Sequence, residues 1–525
     1  MKDEAVRGPV YGSDGVVATP HYLASLAGVL MLGEGGSAVD AALAANAVLA
    51  VVWPHMCGPG GDLFAQIWSP QEGLVGFNGS GRSGAAMSRD AYREAGLSGV
   101  PWRGAMSVTV PGAVDGWMRL HERWGRLDLT RVFGPAVRHA RSGFAATPRL
   151  CRAIAECETE LRTAGATWFF PGARRPTAGD RIIQTDLADT FERLALEGRS
   201  LIYGGDLGRR IAGAVAAGGG LLTEDDLAGH TGEWVSALRA TYRGVTVCEL
   251  PPNTQGVTVL EMLNELERTD VSRLGQDSAN LIDRLVRSKI RAFRDRDRFV
   301  GDPAKVDVPL GRLMDPPDGS DDGKGDTAAP PDGRAAGDTV YLCVADRDGM
   351  VVSLIQSIFE TFGSGVIPAS SGFALHNRGH SFTLESGSPN ALEPDKRPRH
   401  TLIPGFALRD GRPWLAFGTR GADGQPQTAV QLLVGMLDFG RDAATAVEAP
   451  RWVHGMGPAG PGGLVLESRF DRATVGALAR RGWHTHVTSA FDDLMGSAQL
   501  IEVSQSRGYF IAVADPRGDS VALAA

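Results

Sequence analysis

Five cysteines in 525 residues, Cys57, Cys151, Cys157, Cys248 and Cys343, form an odd set with no C-x-x-C pair. That excludes a disulfide framework and gives no zinc-binding pattern; no metal and no cofactor is expected. A basic excess is lacking as well. The 53 Lys and Arg are outnumbered by 61 Asp and Glu, for a net charge of −8, and are spread along the chain. Nucleic acid, which calls for a basic stripe, is therefore excluded as a partner. No apolar run approaches the roughly 20 residues of a membrane span, and the stretch from Leu43 to Val52 is too short. The opening octapeptide, Met1-Lys2-Asp3-Glu4-Ala5-Val6-Arg7-Gly8, has neither the basic nor the apolar region of a secretory signal. The chain thus reads as cytoplasmic, without a membrane partner. What is present is an ordinary globular composition, 43% hydrophobic and 22% charged. The length suits one large α/β unit.

Hydrophobic periodicity divides the chain into strand-bearing ends around a helical block. Asp14 to Ala47 reads as a strand, a helix from His21, a break at Gly33-Glu34-Gly35-Gly36 and a buried Ala-rich helix from Ala38. Cys57-Gly58-Pro59-Gly60-Gly61-Asp62 precedes a strand, with no Lys-Ser/Thr after it, so it is no phosphate loop. Between Val110 and Val300 helices are expected over 112–124, 129–142, 153–163, 187–197, 206–217 and 278–299, with a capping box opening another at Thr223. The densely charged stretch from Leu281 to Phe299 reads as a mostly solvated helix face without chemistry. Asp315 to Asp338 is a low-complexity tract of Gly, Pro and Asp that buries too little to offset the cost of ordering, and reads as a flexible tether. Beyond it, strands are expected over 339–345, 350–357, 372–375, 401–408 and 412–417, then a helix over 428–437 and a closing βαββ-like run.

Gly337-Asp338-Thr339 leads straight into the β-prone run Val340-Tyr341-Leu342-Cys343-Val344-Ala345. If the Asp338–Thr339 bond were cut, Thr339 would carry a hydroxyl nucleophile and its own α-amine as base, an amine with pKa about 7.7–8.0. Gly325-Asp326-Thr327 repeats the triplet, but no strand follows to hold Thr327 rigidly. On these residues alone, a loop entering a buried strand is the favoured reading.

The ordered series of segments resembles the γ-glutamyltransferase (glutathione hydrolase) family, specifically a divergent branch with oxamate amidohydrolases and acylases. The matching stretches, spread over nearly the whole chain, are Gly35-Gly36-Ser37-Ala38-Val39-Asp40-Ala41-Ala42, Pro54-His55-Met56-Cys57-Gly58-Pro59-Gly60-Gly61, Val110-Pro111-Gly112, Gly219-Gly220-Leu221-Leu222-Thr223, Leu250-Pro251-Pro252, the Thr339 strand, Val351-Val352-Ser353-Leu354, Phe362-Gly363-Ser364-Gly365, Lys396-Arg397-Pro398 and Ala514-Asp515-Pro516-Arg517. The resemblance implies an N-terminal-nucleophile hydrolase, an α/β fold with an αββα sandwich of two stacked antiparallel sheets between helical layers. It implies cleavage between Asp338 and Thr339 into a large subunit, 1–338, and a small subunit, 339–525, that form one composite domain. The partners are then a small-molecule amide and each fragment for the other, with higher oligomers left open.

By the same resemblance Thr339 is the nucleophile, and Ser357 stands where a Thr supports it. Gly421 and Ala422 stand where a Gly-Gly pair forms the oxyanion hole, which tolerates Ala422 if its φ is negative. The γ-glutamyl ligands do not carry over. Asn78 replaces the Arg that grips the α-carboxylate; Phe359, Arg378 and Ser381 replace the Asn, Gln and Asp around the α-amine; His400 and Thr401 replace a Ser pair. Arg378, with Arg82 and His400, points to a substrate carboxylate instead, unless Arg378 is spent on Glu360 or Asp423. The leading expectation is a self-processing amidohydrolase that has lost γ-glutamyl specificity. A true γ-glutamyltransferase and a catalytically silent binding protein are the alternatives.

Overall fold

The structure, a computed structural model, describes residues 7–315 and 338–525. The opening hexapeptide, Thr327 and the tether, apart from its two end residues, lie outside the described residues.

Among the described residues, fourteen strands form two seven-stranded antiparallel sheets: β1 (Val10–Gly12), β2 (Gly15–Thr19), β3 (Asp62–Ser69), β4 (Gly73–Gly79), β5 (Glu233–Val235), β6 (Leu238–Tyr242), β7 (Val245–Glu249), β8 (Asp338–Asp346), β9 (Val351–Phe359), β10 (Gly405–Arg409), β11 (Arg412–Thr419), β12 (Ala498–Ser504), β13 (Tyr509–Ala514) and β14 (Val521–Ala524). The first sheet runs β14-β2-β8-β9-β3-β4-β5 and the second β1-β13-β12-β11-β10-β7-β6. Side chains alternate across a strand, so Tyr341, Cys343, Phe64 and Ile355 point from the first sheet into an apolar layer shared with Cys248, Phe406 and Ala416 of the second.

Helices α1 (Tyr22–Gly33), α2 (Ala38–Val52), α3 (Ala113–Trp124), α4 (Leu129–Ser142) and α5 (Thr185–Glu197) cover the outer face of the first sheet. On the second, α6 (Gly256–Glu267), α7 (Ala279–Phe299) and α8 (Gly424–Leu437) do the same. The expected sandwich of two antiparallel sheets between helical layers is thus observed. Helix α2 starts at a capping box in which Ser37 and Asp40 satisfy each other's backbone N–H, and every one of its residues is buried. Alanine at most of its turns lets it lie close against its neighbours. The box at Thr223 is also present. No helix among the described residues is long and apolar enough to cross a membrane.

Two expectations need correction. Helix α7 is not mainly a solvated face: Arg296 is buried, pairs with Asp423 at 2.8 Å and stacks on Phe293, and Lys289 is buried with its pKa pulled by burial down to about 8. Charge density misled because the long stems pack while the charges find partners. Residues 372–375 form no strand: Gly372 has φ +75° and backs onto Leu187, and the segment bonds instead to Ser364 and Val366 in a loop.

Candidate active site

Thr339 enters on β8, a central strand flanked by β2 and β9. Asp338 stands opposite Phe359 and Val340 opposite Gln356, so Thr339 occupies a shift in the ladder. Its Oγ1 donates to Ser357 Oγ at 3.2 Å, and Ser357 Oγ also accepts the Phe359 N–H at 2.8 Å. Both hydroxyls are buried. Ser357 therefore fixes the orientation of the Thr339 hydroxyl while capping the end of β9. Ser357→Ala would leave the Phe359 N–H without this acceptor, at a cost of ~1–3 kcal/mol in stability, and would free the Thr339 rotamer. We expect slower self-cleavage and hydrolysis in Ser357→Ala, and recovery of both in Ser357→Thr, measured by gel densitometry and initial rates.

One strand further across, Asp62 begins β3 opposite Ser357. Its Oδ2 accepts from His400 Nε2 at 3.1 Å, and its Oδ1 from the N–H groups of Gly81 at 3.1 Å and Gly112 at 3.3 Å. A side chain at Gly81 or Gly112 would overlap the backbone of Val110 or Gly79, which is why this close wrap needs glycine. Burial alone would raise the Asp62 pKa, but His376, His400 and Arg378 together hold it below the usual carboxylate range. Burial and the nearby Arg378 lower His400 as well, to about 3, so the pair is a carboxylate and a neutral imidazole. Asp62 was not among the residues singled out from sequence. Only the β3/β9 register brings it beside Ser357, the partner of Thr339, and no local pattern marks a lone acid at the head of a strand.

Strand β11 ends beside the start of β8, with Gly418 so near the Tyr341 ring that a Cβ would overlap it. Gly421 and Ala422 follow at the entrance to α8, where Gly424 N–H bonds to Gly421 and Gln425 N–H to Ala422. Among the described residues the N–H groups of Gly421 and Ala422 have no acceptor. They lie at the positive end of a 14-residue helix, suited to a developing oxyanion. Ala422 has φ +45°, so the condition of a negative φ is not met. The residue is held in the left-handed region, partly by Gln255, whose Nε2 donates to its carbonyl at 3.2 Å.

The remaining candidates divide. Arg378 lies fully buried in a short turn with Ser381; its Nη1 donates to Thr401 Oγ1 at 3.2 Å, and its guanidinium stacks 4.0 Å from the centre of the Phe359 ring. Phe359 itself has φ +77°. Phe359, Arg378 with Thr401, and His400 thus connect to the Thr339–Ser357–Asp62 row. Neither Glu360 nor Asp423 pairs with Arg378; Asp423 is taken by Arg296. Ser381 offers its carbonyl to Asn390. Arg82 stands apart, bonded to Asp302 and Glu233 and facing Asp395. Asn78 is tied to Asn253 at 2.9 Å and to Ser80, with both ends of its amide in use.

A family model described as Gamma-glutamyltranspeptidase matches residues 24–525. Among curated proteins the chain is 40% identical to the glutathione hydrolase-like YwrD proenzyme of Bacillus subtilis, over 98% of this chain and 99% of that one. It is 36% identical to the oxamate amidohydrolase proenzyme of Klebsiella pneumoniae subsp. pneumoniae, over 97% and 98%. Among solved structures, the cephalosporin acylase from Bacillus halodurans superposes with a TM-score of 0.92 at 33% identity, covering 100% of this chain and 98% of that one.

Proposed function

Given that the chain belongs to the gamma-glutamyltranspeptidase family and is an N-terminal-nucleophile hydrolase of it, we propose that it matures by cutting its own Asp338–Thr339 bond and then hydrolyses a small amide through Thr339. The observation that carries this reading is the hydroxyl of Thr339, held by Ser357 at the head of a central strand. In maturation the Oγ attacks the Asp338 carbonyl, the peptide shifts from nitrogen to oxygen, and water hydrolyses the ester. That frees the Asp338 carboxyl and the Thr339 α-amine. In turnover the amine takes the Oγ proton, and the Oγ attacks the substrate carbonyl. The oxyanion is received by the Gly421 N–H and, in spite of the left-handed backbone there, by the Ala422 N–H, neither of which has an acceptor among the described residues, and the leaving amine departs with the proton from the α-ammonium. Water, deprotonated by the same amine, then releases the acid and restores the hydroxyl.

The pocket supports an acyl group other than γ-glutamyl. Asn78 has no charge for an α-carboxylate and is occupied by Asn253 and Ser80, while Arg378 would repel an α-ammonium. The names of the two curated relatives give two of the choices to compare. Purified enzyme assayed with γ-glutamyl-p-nitroanilide, oxamate and a glutaryl amide is expected to show kcat/KM for the first below the ordinary enzyme window of roughly 10⁴–10⁸ M⁻¹s⁻¹. A value within that window would restore the γ-glutamyltransferase reading. The left-handed backbone at Ala422 and the replaced γ-glutamyl ligands favour a silent binding protein; a wild-type chain that stays whole on a denaturing gel and turns over none of these amides would support that alternative.

A further inference from the structure

Arg378 is 1% exposed, yet among the described residues it has no ion pair. Its Nη1 is bonded to Thr401, while Nε and Nη2 have no acceptor. Those two nitrogens share one edge of the guanidinium, where their N–H bonds run parallel and match the two oxygens of a single carboxylate. Burial pulls the group down only to about 10, so it stays charged at neutral pH. Asp62 and Glu360 are the carboxylates whose charge reaches it, and neither is bonded to it. A buried cation with an unused bidentate edge is costly to keep, and an incoming anion relieves that cost. The edge lies close to the chemistry: the ring under the guanidinium belongs to Phe359, whose N–H bonds the same Ser357 Oγ that holds Thr339. Trp102 stands beside Phe359, ring centres 6.2 Å apart, and adds an aromatic wall.

We propose that the Nε–Nη2 edge of Arg378 receives a carboxylate of the substrate, making this enzyme selective for monoanionic amides whose acid group lies near the scissile carbonyl. This rests on Thr339 as the nucleophile. Malonamate, succinamate and glutaramate, each paired with the neutral diamide of the same length, separate the two statements when ammonia release is followed with the purified enzyme. At least one monoanion is expected to be turned over roughly tenfold or more faster than its diamide. Arg378→Met is expected to lower kcat/KM for that monoanion by roughly 10–150-fold and for the diamide by much less. Arg378→Lys, which keeps the charge without the fork, should fall between wild type and Arg378→Met. Conversion of each variant to two fragments reports that it has folded. Equal losses on charged and neutral probes, a preference for the diamides, or a cleaved enzyme that turns over no monoanion overturns the proposal while leaving the Thr339 assignment intact. Failure of the wild-type chain to cleave strikes at that assignment instead.

Discussion

Thr339→Ala is expected to purify as one uncut chain with hydrolysis lost by roughly 10⁴-fold or more, since the neighbouring Ser357 hydroxyl lies inside a strand and gains no α-amine to act as its base. Wild type should run as two pieces, 1–338 and 339–525, that stay together without a covalent link. Thr339→Ser should cleave, more slowly, because a serine hydroxyl reaches Ser357 but lacks the stiff β-branched rotamer. N-terminal sequencing of the small piece decides the position. A first residue other than Thr339 would remove the nucleophile from the scheme, and a cleaved, active Thr339→Ala would do the same.

The second large effect is on stability against pH. Burial depresses the pKa of His21 and His230 to about 4, and of His400 and His454 to about 3, and also lowers those of His55 and His376. These rings stay neutral in the fold, while in the unfolded chain they protonate near pH 6.5. Below that pH the unfolded state binds more protons. Stability is therefore lost as pH falls from about 6.5 toward the folded values, by ~1.4 kcal/mol per pH unit for each ring that remains neutral. Glu249 and Glu261 act in the opposite sense. Burial raises both, Glu261 to about 9, so they remove stability as pH rises above the ordinary carboxylate range. Urea unfolding of the uncut Thr339→Ala chain is expected to show a maximum near pH ~6.5, with a steep fall on the acid side. A midpoint that stays flat from pH 6.5 to 4.5 would mean that these rings are already charged in the folded protein.

The sequence carried much of this fold because its cues were local. The glycine-flanked capping box at Ser37 and the alanine repeat behind it announce a buried helix, and the run from Thr339 announces a rigid strand. Thr339 and Ser357 were legible as a pair through the resemblance, and the structure sets their hydroxyls 3.2 Å apart. What escaped depends on tertiary placement. Asp62 and His400 are 338 positions apart and meet only through sheet register. The burial of Arg296 depends on Asp423 arriving at the head of α8. Trp102 acquires its place beside Phe359 from a loop with no periodicity of its own. The left-handed backbone at Ala422 runs against residue propensity, and pattern reading gave no sign of it.

The strand order has a consequence for the life of the molecule. In the first sheet β14, β8 and β9 come from the segment after residue 338 and β2, β3, β4 and β5 from the segment before it, with β2 lying between β14 and β8. The second sheet joins β1, β6 and β7 from the first segment to β10, β11, β12 and β13 from the second. The two segments are laced through each other, and neither owns a complete sheet. If the chain is cut between Asp338 and Thr339 as proposed, folding has to finish on the continuous chain, and the cut is a one-way step. After such a cut the two segments lose the link that kept their ends at high effective concentration, so a molecule matured in this way that unfolds must reassemble as two separate partners. Its working lifetime is then governed by how slowly it opens, not by how readily it refolds.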